Sequence, residues 1–161
     1  MNRFFKLFTL NKISFQMTIK QLVHILLFSC IIIGTVKAQA VKAENKYGEQ
    51  LYFVDGNTLK QKNKYGEELF YWNGEEIKLK NKYGKSLYYL DGNTVKLENK
   101  YGDRLYEFDG YYIRYRDKYG PKIWYLDGRV LKRKDKYGEP VYYFEGIPDK
   151  WVLVALLDLS T

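Results

Sequence analysis

The chain is poor in the side chains on which much catalysis and cross-linking depend. Among 161 residues there are one cysteine, one histidine and two methionines. All four (Cys30, His24, Met1 and Met17) fall within the first forty residues, which contain no Asp or Glu at all. From Val41 onward the chain has no thiol and no imidazole. That excludes a disulfide framework, a Cys or His nucleophile and a histidine-based metal site. Long apolar runs are scarce too. Residues 22–36 form one of fifteen residues, short of the roughly 20 that span a bilayer.

Lys20 before that run and Ala38-Gln39-Ala40 after it give the charged, apolar and small-residue order of a secretory signal peptide. The expectation is a leader over residues 1–40, cleaved after Ala40, with an alternative start at Met17 that gives it conventional proportions. Cys30 lies in the middle of the apolar region and is followed by Ile31, Ile32 and Ile33, so it reads as a leader residue rather than an acylation site. The product, residues 41–161, is placed in the periplasm or outside the cell, without membrane insertion. Five of the 27 Lys and Arg lie in the leader, so the net charge falls from +8 to +3 on its removal. Export and that low charge argue against reading Arg114-Tyr115-Arg116 or Lys132-Arg133-Lys134 as a nucleic-acid groove.

What the chain does have is repetition. An eighteen-residue unit recurs six times without insertion, over 45–62, 63–80, 81–98, 99–116, 117–134 and 135–152. A fixed period of this kind marks units that bury a core only by neighbouring one another. Each unit carries two turn signals. Asp91-Gly92 and its counterparts suit a two-residue type I′ hairpin. Asn81-Lys82-Tyr83-Gly84 and its counterparts suit a type I turn closed by a left-handed glycine. Both connections are too short for parallel crossovers. The fold class is therefore all-β: about twelve antiparallel strands of six residues, closed as a flower-like or propeller-like ring, with an open hairpin solenoid as the alternative. Residues 147–161 depart from the unit. Pro148 stands where a strand should run, and the apolar residues 151–157 form a closing segment, strand or helix.

A type I′ turn at Asp91-Gly92 pairs Leu90 with Asn93, Tyr89 with Thr94 and Tyr88 with Val95. Tyr88, Leu90 and Val95 then share one face, and their counterparts in every unit are apolar or aromatic, so that face is the core. The other face carries an aliphatic column (Leu51, Leu69, Leu87, Leu105, Ile123, Val141), an aromatic column that includes Tyr71, Tyr89 and Tyr125, and a cation in each unit: Lys60, Lys78, Lys96, Arg114, Lys132 and Lys150. Long cationic stems can lie over such neighbours while their heads stay wet.

Tandem hairpins written as apolar-aromatic-aromatic-apolar-Asp-Gly resemble the bacterial four-fold β-flower proteins and, more weakly, the choline-binding type of cell-wall repeat. The first resemblance implies short hairpins around a central axis and supplies no catalytic residues. The second would imply a choline cage, but its Gly-Trp pairs are absent, with only Trp72, Trp124 and Trp151 present.

The recurring Asp55, Asp91, Asp109 and Asp127 are explained by turn chemistry, since a calcium loop gathers several oxygens within one short segment. Glu107, the single acid in the aromatic column, is expected opposite Tyr112, as Tyr71 is opposite Glu76, which makes it half of a structural pair. No catalytic residue, metal or cofactor is predicted. The functional expectation is a non-catalytic module that holds an anionic envelope polysaccharide or a protein partner. Its ligand residues would be Tyr71, Tyr89, Tyr125, Lys78, Lys96, Arg114 and Lys132, because aromatic rings stack on sugars and spaced cations attract acidic groups. The alternative is a purely architectural repeat of a surface assembly.

Overall fold

A computed structural model describes residues 39–160. Twelve antiparallel strands close into one barrel in which each strand is hydrogen-bonded to its sequence neighbours and the first to the last. They are β1 (Gln39–Ala43), β2 (Gln50–Asp55), β3 (Thr58–Gln61), β4 (Glu68–Trp72), β5 (Glu76–Leu79), β6 (Ser86–Asp91), β7 (Thr94–Leu97), β8 (Arg104–Asp109), β9 (Tyr112–Tyr115), β10 (Lys122–Asp127), β11 (Val130–Arg133) and β12 (Pro140–Phe144). One helix, α1 (Lys150–Leu159), follows. The ring is closed, not an open solenoid, and no described strand is left with a free edge.

The closing strand comes from before the first unit. β1 pairs with β12 through Val41↔Phe144 and with β2 through Val41↔Tyr52, so it supplies the second strand that the sixth unit lacks. Its residues follow the unit pattern. Val41 is fully buried like Leu59, Lys42 bridges Glu145 as Lys60 bridges Asp55, and Glu44 has positive φ as Lys62 does. The sixth cation of the outer face is therefore Lys42. Lys150, assigned there from the sequence, is instead the first residue of α1.

The hairpin register also differs from the sequence expectation. Asp91 faces Thr94, Leu90 faces Val95 and Tyr89 faces Lys96, so the loop residues are Gly92 and Asn93. Of the two, only Gly92 takes positive φ, at 63°, as a type II′ turn requires. This register moves the pairing by two residues, an even number, so every side chain keeps its face. The inward set stands as read, with Val54, Leu59, Phe70, Ile77, Val95, Phe108, Ile113, Trp124, Leu131, Tyr142 and Phe144 buried. Glu107, however, lies opposite Arg114 and Thr94, not Tyr112, and accepts a hydrogen bond of 2.7 Å from the Thr94 hydroxyl. Tyr71 lies opposite Lys78 and Thr58, and Glu76 opposite Tyr89.

The other connection is a six-residue bend in which the left-handed residue is not the glycine. Lys80 (φ 62°) and its five counterparts carry the positive φ, and the Lys80 N–H donates to the Leu69 carbonyl at 2.9 Å. Gly84 is required for a different reason, since a Cβ there would stand 1.7 Å from the Leu79 carbonyl oxygen. Asn81 Oδ1 accepts from the Tyr83 N–H at 3.0 Å and its carbonyl from the Gly84 N–H at 2.9 Å. The aliphatic column marks β-bulges. In the β7–β8 ladder Val95 faces Tyr106 and Lys96 faces Arg104, leaving Leu105 as the extra residue. Bulge and bend together shorten the second strand of each hairpin to four residues rather than six.

The apolar segment is a helix inside the ring. Residues 151–157 are all between 0 and 4 % exposed. With all twelve strand positions paired, a further strand would find no partner, whereas a helix satisfies its own backbone and can be apolar on every side. Ten residues at 1.5 Å give about 15 Å, close to the roughly 13–20 Å of strands of four to six residues. Helix and barrel match in height, and the lumen is filled.

Candidate functional site

A filled lumen leaves the outer wall and the two rims as surfaces for chemistry. On the wall, the structure places each predicted tyrosine beside its predicted cation: Tyr71 opposite Lys78, Tyr89 opposite Lys96, and Tyr125 opposite Lys132. The cationic heads are already engaged. Lys96 Nζ lies 2.7 Å from Asp91 and 3.0 Å from the Lys100 carbonyl, and Lys132 makes the same contacts with Asp127 and Lys136. Arg114 holds Asp109 at 2.7 Å and the Gly120 carbonyl at 3.1 Å. Lys78, whose unit has Asn73 in place of the turn aspartate, lies 3.4 Å from Glu76. The hydrogen bond from Lys96 holds the Asp91 carboxyl below its ordinary range. Lys96, Arg114 and Lys132 tie one turn to the next, and the side chains of all four cations are only 17–22 % exposed. Ala40, the predicted cleavage point, lies in β1, paired with Phe53 and buried.

One rim is different. In an antiparallel ring alternate connections share an end, so the six Lys-Tyr-Gly bends form one crown. Tyr47, Tyr65, Tyr83, Tyr101, Tyr119 and Tyr137 are each 84–85 % exposed. The preceding lysine of each lies over the ring, with its Nζ 4.7–4.9 Å from the centroid. The bend itself uses the Asn or Asp side chain and the close approach at glycine. Neither the tyrosine ring nor the lysine head takes part in it, yet both recur in all six units. That identity within the chain is the signal the sequence offers, since turn chemistry accounts for the Asn or Asp and the Gly but not for the Lys-Tyr pair.

No family model, curated protein or solved structure matches this chain. Its chemistry is what the residues themselves supply. Among the described residues no group of three or more Asp, Glu, His or Cys could hold a metal ion, and no helix is long and apolar enough to cross a membrane. Tyr88, Tyr106 and Tyr142 have phenol pKa values raised chiefly by burial, and the Tyr88 hydroxyl donates to Asp158 of α1. These three rings face the core. The residues that combine exposure, aromatic area and charge are those of the crown, where each bend offers a ring face for stacking and an ammonium for an acidic group. The six bends of six residues each contain eleven cationic and eight anionic side chains, a modest positive excess.

Proposed function

We propose that the protein is an exported, non-catalytic binding module for an anionic polysaccharide of the cell envelope or its surroundings, with the crown as its recognition face. The observation that carries this reading is the six-fold recurrence of an almost fully exposed tyrosine beside a lysine. Exposed aromatic rings add nothing to the core, and the bend does not require them. Repetition suits a polymer, because each equivalent bend adds a weak contact and the sum is avid. The wall cations first assigned to this task have partners within the barrel, which shifts the role to the crown. With no described strand edge left free, assembly by edge pairing gains no support.

The test is calorimetric titration of the folded chain with polygalacturonate at low and high salt. Binding should weaken as salt rises. Replacing the six crown tyrosines together by Ser should cut affinity at least tenfold while the circular dichroism spectrum is kept. Replacing Lys78, Lys96 and Lys132 together by Gln should change it less than threefold. Unaltered affinity in the crown variant, or no binding to any of a panel of acidic glycans, refutes the reading.

A further inference from the structure

Resting on that reading, we infer that the glycan leaves the crown along one side of the barrel, over the β9–β10 hairpin, on a track of tyrosines that no other strand pair possesses. The track begins at the crown with Lys118 and Tyr119. It continues through Lys122 at the start of β10 to the cross-strand pair Tyr112 and Tyr125, and ends at Tyr111 on the opposite rim. Tyr112 and Tyr125 face each other across the ladder with centroids 5.0 Å apart, and Tyr111 lies 6.1 Å from Tyr125. Lys122 Nζ stands 3.8 Å from the Tyr112 centroid. Tyr111 is 67 % exposed.

No other unit carries aromatic rings at both of the positions of Tyr111 and Tyr112, so this departure stands out. The position of Tyr111 is held by Asn57, Glu75, Asn93 and Arg129 in the other hairpins, and that of Tyr112 by Thr58, Glu76, Thr94 and Val130. A cross-strand aromatic pair alone would account for Tyr112 and Tyr125 as sheet stabilisers. It does not account for Tyr111, which sits in a II′ turn position that asks for no ring and exposes most of it. Lined up, the rings and ammonium groups cover the length of a six-residue strand, roughly 20 Å. Several successive sugar units can lie along that distance, stacked on tyrosine with their carboxylates toward Lys118 and Lys122. A crown of six equal bends cannot set the direction of a bound chain. A track down one hairpin does.

The experiment titrates a defined-length oligogalacturonate long enough to span the wall into the unmodified chain and three variants: Tyr111→Ala, Tyr111→Phe and, at the equivalent exposed turn position between β2 and β3, Asn57→Ala. Tyr111 is exposed, so its truncation leaves the fold intact, which thermal unfolding verifies. The expected result is an affinity loss of fivefold or more for Tyr111→Ala, none for Tyr111→Phe, and less than twofold for Asn57→Ala. Wild-type affinity in Tyr111→Ala, or an equal loss in Asn57→Ala, overturns the track while leaving the crown reading in place. No binding by the unmodified chain removes both.

Discussion

Truncating Leu156 to Ala in α1 tests the central feature of the fold, a helix enclosed by a ring of strands. Leu156 is fully buried, and the wall around it is a continuous hydrogen-bonded ladder that cannot fold inward without losing register. The void left by three missing carbon atoms therefore stays open, and the cost should fall in the upper part of the range for buried Leu→Ala changes, about 3–5 kcal/mol. For a domain of this size that corresponds to a drop in Tm of roughly 10–20 °C, a large share of the ~5–15 kcal/mol that holds such domains together. Ile147, just outside the ring and 82 % exposed, provides the control, and Ile147→Ala should stay within about 0.5 kcal/mol of the unaltered chain. Urea unfolding followed by tryptophan fluorescence, with thermal circular dichroism alongside, reads both. A Leu156→Ala cost below about 1 kcal/mol, or no difference from the Ile147 control, would mean that α1 does not occupy the lumen.

The two glycine classes should behave differently: Gly84→Ala forces a Cβ to 1.7 Å from the Leu79 carbonyl and should cost about 3 kcal/mol or more. Gly92→Ala meets open space at φ 63° and should cost about 1–2 kcal/mol, both measured by urea unfolding. Burial raises the Tyr88, Tyr106 and Tyr142 phenols, the last to about 12, so the folded chain keeps protons that the unfolded chain releases above pH 10. Stability from these groups is fully present below pH 10 and falls as pH rises toward 12; Tm against pH should show that slope, and Tyr142→Phe should flatten it. A chain beginning at Val41 loses Gln39 and Ala40, their pairing with Val54 and Phe53, and the bond from the Glu145 N–H to the Ala40 carbonyl. It should melt below a chain beginning at Gln39, and equal melting temperatures would contradict the closing role of β1.

The unit length and the two short connections made the closed antiparallel ring legible, and the inward face survived an error in register. Asp91-Gly92-Asn93-Thr94 contains both an Asp-Gly pair that suits a I′ turn and a Gly-Asn pair that suits a II′ turn. Choosing between them alters partners by two positions, which changes who faces Tyr89 but not which side Tyr89 is on. The closing strand was harder to see because five residues, Gln39 to Ala43, carry little apolar signal and adjoin the small-residue motif of the leader. The clue was Val41-Lys42, eighteen residues before Leu59-Lys60. Turn chemistry also hid the difference between Lys80 and Gly84. A glycine in a bend suggests positive φ, whereas here it answers to a neighbouring carbonyl and a lysine bears the left-handed conformation. For the candidate site, pairing of the wall cations with the turn aspartates was not readable without the register. The crown was readable, but only by asking which invariant residues the turn did not need.

A nearly six-fold ring around a single helix poses a problem that the repeats cannot solve. Six similar walls offer a helix six similar seats, one for each rotation about the axis, and an apolar surface alone discriminates poorly among them. Three contacts break the degeneracy. Lys150 Nζ reaches the Gly92 carbonyl at 3.1 Å and Asn93 Oδ1 at 2.6 Å on one rim. Asp158, near the other end of α1, accepts from the Tyr88 hydroxyl of the same hairpin. Trp151 stacks on Trp72 with the planes 3° apart and centroids at 6.4 Å. Trp72 is a departure from the repeat, since its counterparts include Val54 and Leu90, whereas tyrosine at the position of Tyr88 recurs at Tyr52, Tyr106 and Tyr142. The same logic separates scaffold from recognition on the outside. Residues that recur in all six units build the ring and its crown, and those that occur once give the molecule a direction, Trp72 for the helix within and, in the proposed track, Tyr111 for a chain laid along the wall.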